Sequence, residues 1–128
     1  MESYDKVAGA MDGFATPANH VDFKAKRLFG RVDGVIADGA VAILQPSGGG
    51  PVEKHRHSHD HLFMVISGEA RIEFEDETVI VPAYSAYRVD GSRLHSVWNN
   101  TDQPTVMVGC TLIRDRDHGQ RSENGNND

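Results

Sequence analysis

Short runs of β-branched and other apolar residues recur along this chain, each closed by turn-forming residues, and helical spacing of apolar positions is scarce. The runs read GAVAILQ (39–45), HLFMVIS (61–67), ARIEFED (70–76), ETVIVP (77–82), SAYRVDGSRLHSVWNN (85–100) and PTVMVGCTLI (104–113). Strands of this length, evenly punctuated, predict an all-β sandwich or barrel. Pro46 to Pro51, PSGGGP, reads as a flexible loop leading into the next strand. Ser67-Gly68-Glu69 reads as the turn of a hairpin, with Gly68 where positive φ is cheap. One helical candidate stands out, around Phe23 to Leu28. The expected organisation is an N-terminal arm over 1–20, a barrel over 21–113 and a disordered tail over 114–128. That tail, after Arg114, has no apolar residue to offset its ordering entropy.

Composition narrows the function classes. A chain of 128 residues suits one domain, and 38% hydrophobic residues suit a globular one. A net charge of -6 argues against nucleic acid, whose phosphates need a basic face. No apolar run reaches the length of a membrane span, and the first residues, MESYDKVAGAMDGF, show no secretory pattern. A single cysteine, Cys110, cannot form an internal disulfide and sits in an apolar run. The expectation is a cytoplasmic protein with a small-molecule ligand, no nucleic acid and no membrane.

Four of the seven histidines, His55, His57, His59 and His61, alternate within HRHSHDH. On a strand, residues two apart share a face about 7 Å apart. His55 and His57 would then offer two imidazoles to one ion, with bonds to nitrogen of about 2.1 Å. A zinc-protease helix pairing His57 with His61 is excluded by the preceding GGGP and the following β-branched run. A solvated histidine-rich turn is the competing reading. An inward cluster without metal is worse, because imidazoles facing one another repel when protonated and lose hydration when neutral. The spacing favours a metal site.

At this point the sequence resembles the cupins. Their first motif runs Gly, five residues, His, one residue, His, three residues, Glu, six residues, Gly. This chain has Gly49, His55, His57, His61 in place of Glu, and Gly68. In the second motif Tyr84, Asp90 and Ser92 stand where Gly, Pro and Gly are usual, while His95 and Asn99 match. The resemblance covers roughly Val41 to Ile113. It implies a small antiparallel double-stranded β-helix, a jelly-roll barrel holding a metal inside one end. It further implies His55, His57, His61 and His95 as ligands of one divalent transition metal. His59 falls in the turn between the ligand strands and reads as an exposed loop histidine. Small cupins often pair, so a homodimer is expected, with an arm covering an open sheet edge.

Neutral imidazoles accept Mn, Fe, Co, Ni, Zn or Cu, so the ligand set does not choose the metal. Four neutral ligands leave the ion its full charge, which favours a small, anionic, oxygenated metabolite. The reaction class stays open among isomerase, lyase, cyclase and dioxygenase. The alternative is a non-catalytic small-molecule-binding or sensor cupin. Alternation places Phe63 and Val65 inward with His61, Val97 inward with His95, and Ile72 and Phe74 inward, with Arg71, Glu73 and Glu75 outside. Tyr84, Tyr87, Arg88 and Trp98 are candidates for the cavity mouth. The expected substrate-binding set is Arg88, Phe63, Tyr84 and Trp98, with Arg88 the anchor for an anion.

Overall fold

The structure, a computed structural model, describes residues 12–32 and 34–113. The tail over 114–128 and the first part of the arm, to Met11, lie outside the described residues. Eight strands follow in order: β1 (Val21–Phe29), β2 (Ile36–His55), β3 (Asp60–Ser67), β4 (Glu69–Phe74), β5 (Thr78–Pro82), β6 (Ser85–Val89), β7 (His95–Asn99) and β8 (Thr105–Leu112). Every pairing is antiparallel, and the sheet runs β5-β4-β7-β2-β8-β3-β6, with β1 added on β2. The sheet curls into a nearly closed barrel, the jelly-roll arrangement expected.

Period-two alternation accounts for the core. Val65 on β3, Ile72 and Phe74 on β4, Val97 on β7 and Met107 on β8 are buried together with Leu44, Val81 and Val89. Arg71 and Glu73 alternate outward and pair with each other, Nε to Oε2 at 2.6 Å.

Three local expectations are corrected. The helix expected around Phe23 to Leu28 is strand β1, with Phe23 opposite Leu44 and Ala25 opposite Ala42. Lys, Ala, Arg and Leu favour helix intrinsically, but pairing with β2 and burial of the Phe23 and Ala25 face prevail. PSGGGP is not a loop but part of the 20-residue β2. Its glycines let backbones close in. A Cβ on Gly49 would meet the carbonyl of Val97 and the Cα of Trp98, and one on Gly48 would meet the carbonyl of Asp22. Finally, β3 and β4 do not form a hairpin. Gly68, at φ 84, turns the chain between partners, since β3 pairs with β6 and β8 while β4 pairs with β5 and β7.

Candidate functional site

The end of β2, the turn after it, the start of β3 and the start of β7 bring the histidines together. His55 lies opposite His95 in the β2–β7 register. Ligand nitrogens of His55, His57 and His95 all lie within 4.8 Å of one another, and the same holds for His57, His59 and His61. The four expected ligands thus fall in two triads that share His57.

Ring orientation separates His59 from His57, although its plane crosses that of His61 at 89°. A nitrogen lone pair lies in the plane of its ring, so imidazoles sharing one ion must have planes that intersect at it. His55 and His57 meet at 72°, His55 and His95 at 71°, His57 and His61 at 87°, and His57 and His95 at 85°, with centroids 4.8 to 5.2 Å apart. His59 instead lies flat on His57, with centroids 4.1 Å apart and planes 8° from parallel. Parallel stacked rings cannot aim their lone pairs at one point. His59 is in the turn as expected, but it is half-buried and not an exposed loop side chain.

Backbone carbonyls set the tautomers. His57 Nδ1 is 2.9 Å from the carbonyl of His59, and His95 Nδ1 is 2.6 Å from that of Arg93. A carbonyl only accepts, so each Nδ1 carries the hydrogen and Nε2 keeps its lone pair. Such outer contacts orient metal-binding imidazoles generally. The turn that carries them is stapled. His57 N–H donates to the carbonyl of Gly91 at 2.8 Å, and Gly91 N–H donates to buried Asp60 Oδ1 at 3.0 Å. Asp60 Oδ2 accepts from Arg88 Nε at 3.2 Å and Nη2 at 3.1 Å.

The cluster is electrostatically primed for a cation. Burial, followed by repulsion from His57, His59, His95 and His55, pushes His61 down to about 3. Burial also lowers His95, against the raising effect of its bond to the Arg93 carbonyl. His61 and His95 are therefore held towards the neutral, metal-donating form. His61 Nδ1 is buried and makes no hydrogen bond, a cost of about 1–3 kcal/mol that coordination by a ring nitrogen can offset. Crossed planes, bare lone pairs and an orphaned buried nitrogen together fit a transition metal.

A cavity of about 270 Å³ opens beside the histidines and reaches His55, His61 and His95. Three rows of residues, set by the β3–β8–β2 register, form one wall: His61, Thr111 and Asp38; Phe63, Gly109 and Ala40; and Met107 with Ala42. The lack of a side chain at Gly109 leaves space for Phe63, whose ring would lie 3.1 Å from a Cβ there. Pro17, His20 and Phe23 line the cavity from the N-terminal side. His20 is held by Nδ1 against the carbonyl of Ala18 at 2.8 Å and by its ring against Phe23, with centroids 4.5 Å apart.

Of the expected substrate-binding residues, only Phe63 lines this cavity. Arg88 is opposite Leu62, one position out of phase with His61, so it lies on the other face and bonds Asp60. Tyr84 is 92% exposed on a turn. Its φ of 68 shows why the family motif has glycine there: the backbone still requires the left-handed region. Trp98 borders a separate shallow groove with Arg71 and Glu73, and its Nε1 donates to Ser96 Oγ at 2.8 Å. Sequence reasoning missed His20 and Asp38 as cavity residues. His20 sat in an expected loose arm, and the position of Asp38 follows only from the β2–β8 register.

The fold and this histidine-lined barrel end define a cupin-type protein. A family model described as a cupin domain matches residues 40–111, and the chain belongs to that family. No curated protein matches its sequence. Among solved structures it is similar to the cupin domain of Cnp3 from Schizosaccharomyces pombe, with TM-score 0.69 and 12% identity over 88% of this chain and 76% of that one. It is similar to the polyketide cyclase RemF from Streptomyces resistomycificus, with TM-score 0.68 and 16% identity over 85% and 80%. A predicted oxalate decarboxylase from Thermotoga maritima gives TM-score 0.63 and 13% identity over 72% and 81%. Likenesses at such identities concern the fold alone.

Proposed function

We propose that this cupin is a metal-dependent enzyme. It holds one divalent transition metal on His55, His57, His61 and His95 and acts on a small oxygenated metabolite bound as an anion. The observation that carries this reading is the set of crossed imidazole planes bordering an apolar cavity. The ion, when bound, supplies a Lewis acid or an oxygen-activating centre. The chain's own residues do the rest. The carbonyls of His59 and Arg93 hold two ring hydrogens so that Nε2 faces inward. Phe63, Val97 and Met107 exclude water, which strengthens the attraction between an ion and an anionic oxygen. No lysine or arginine lines the cavity among the described residues, so the ion is the only counter-charge offered to an anion. We further propose that the protein is a cytoplasmic homodimer. Among the described residues, no helix is long and apolar enough to cross a membrane.

The test is metal analysis of untagged protein followed by a screen of small keto acids and diketones under oxygen and under argon. About one metal per chain and turnover of some member are expected. Turnover only under oxygen identifies a dioxygenase, and turnover under both an isomerase, lyase or cyclase. Binding of such ligands with no turnover would replace the enzyme by a sensor cupin. Protein that retains no metal would refute the site itself.

A further inference from the structure

Asp38 is the one acidic side chain among the cavity-lining residues. It closes the row that starts at His61 and passes through Thr111, all three projecting from paired positions on β3, β8 and β2. Two strand spacings separate its backbone from that of His61, roughly 10 Å. Apart from Thr111 between them, the adjoining walls are apolar: Phe63, Ala40, Ala42 and Val97. Among the described residues no hydrogen bond or ion pair is made by the Asp38 carboxylate, and no cationic side chain joins it on the cavity wall. A carboxylate facing an apolar space gains from a hydrogen donor and loses from a second anion.

We infer that Asp38 selects the ligand of this site: the molecule presents a metal-binding oxygen pair at one end and a hydroxyl or other hydrogen donor at the other. This rests on the reading of the histidines as a metal site that takes a chelating oxygen ligand, and it narrows that reading. A dianionic chain, with a carboxylate at its far end, is rejected by repulsion. A purely apolar tail leaves the carboxylate desolvated without compensation.

The test uses full-length protein loaded with cobalt and three keto acids that share a chelating head. Their tails end in methyl (2-oxopentanoate), hydroxyl (5-hydroxy-2-oxopentanoate) or carboxylate (2-oxoglutarate). The cobalt absorption spectrum reports binding. A hydrogen bond to a charged group makes the hydroxyl tail bind about tenfold or more tighter than methyl. The carboxylate tail should be the weakest of the three. In Asp38→Asn the carboxylate penalty should shrink to within about threefold of methyl, and Asp38→Ala should erase the hydroxyl preference. Stoichiometric cobalt with an unchanged ligand-free spectrum certifies that each variant is folded. Affinities blind to the tail, or a ranking that persists in Asp38→Asn, overturn the role of Asp38 while leaving chelation intact. Silence of the spectrum with all three ligands in the wild type overturns chelation and this inference together.

Discussion

Replacing Gly91 by alanine tests whether the histidine turn is positioned by close packing. Gly91 lies outside the left-handed region, so the backbone itself tolerates a side chain. With free space, the substitution would stabilise by about 0.4–1 kcal/mol through the unfolded state. The space is not free. A Cβ at Gly91 would collide with the carbonyl oxygen of His59 and lie 2.7 Å from His57 Nδ1. The nearest atom is backbone, which no rotamer change relieves. Retreat is blocked as well, since the Gly91 carbonyl and N–H are both engaged, at 2.8 and 3.0 Å. Overpacking costs about 1–3 kcal/mol, and loss of the His57–Gly91 hydrogen bond about 1 more. Less the entropic gain, the expected loss is about 2–3 kcal/mol, a fall in Tm of roughly 10–20 °C for a domain of this size. Displacing the His59 carbonyl also frees the His57 tautomer, so metal affinity should fall about 10–100-fold. Urea denaturation with chelator present measures the first effect, and metal competition against a chromophoric chelator the second. Gly34→Ala is the control. Gly34 has φ 89 and nothing within 4 Å of a Cβ, so it should lose about 1–2 kcal/mol and keep its metal affinity. Gly91→Ala with stability within 0.5 kcal/mol of wild type and unchanged metal affinity, measured against the roughly 2–3 kcal/mol expected, would refute the reasoning.

Metal-free protein should lose stability as pH falls from about 6.5 towards 3, because His61 resists protonation in the fold while the unfolded chain accepts the proton near 6.5. The unfolded state binds more protons in that window, so stability rises with pH by at most about 1.4 kcal/mol per unit for this group, and it is flat with respect to His61 above the window; urea midpoints across pH with chelator present check it. His57→Ala and His95→Ala should abolish stoichiometric metal, whereas His59→Ala should keep it, since the stacked ring of His59 does not face the common point; elemental analysis decides. Asp60→Ala removes the acceptor for Gly91 N–H and Arg88 and should cost about 2–4 kcal/mol by leaving a buried N–H unmet, read from thermal or urea melts. Sedimentation at micromolar concentration should give a dimer.

The gathering of the histidines was more legible than their surroundings. That His55, His57, His61 and His95 would come together could be expected because strand alternation is a local rule and because their spacing resembles a family motif. The inward phase of Phe63, Val65, Ile72, Phe74 and Val97 follows from the same alternation. What failed depended on partners. VDFKAKRLF is built largely of residues that suit a helix, and only β2 alongside it makes it a strand. The three glycines of PSGGGP look like flexibility, yet at Gly48 and Gly49 they serve close approach of β1 and β7. A turn such as Ser67-Gly68-Glu69 tells that the chain bends, but not whether the flanking strands bond each other. Arg88 was placed near the mouth without its register, and the β3–β6 pairing puts it out of phase with His61.

The crowding of three of the four proposed ligands into seven consecutive residues, with His95 thirty-four positions beyond His61, bears on folding and metal supply. An unfolded chain keeps HRHSHDH intact and so remains a chelator. Metal therefore binds both ends of the folding equilibrium, and only the difference in affinity stabilises the fold. The rise in Tm on adding metal should be smaller than the folded-state affinity implies. Much of the differential should vanish with His95, the one ligand that must travel on a distant strand to join the rest. During synthesis the histidine run emerges well before β7, so an ion can be captured by the nascent segment and carried into the barrel as the sheet closes around it.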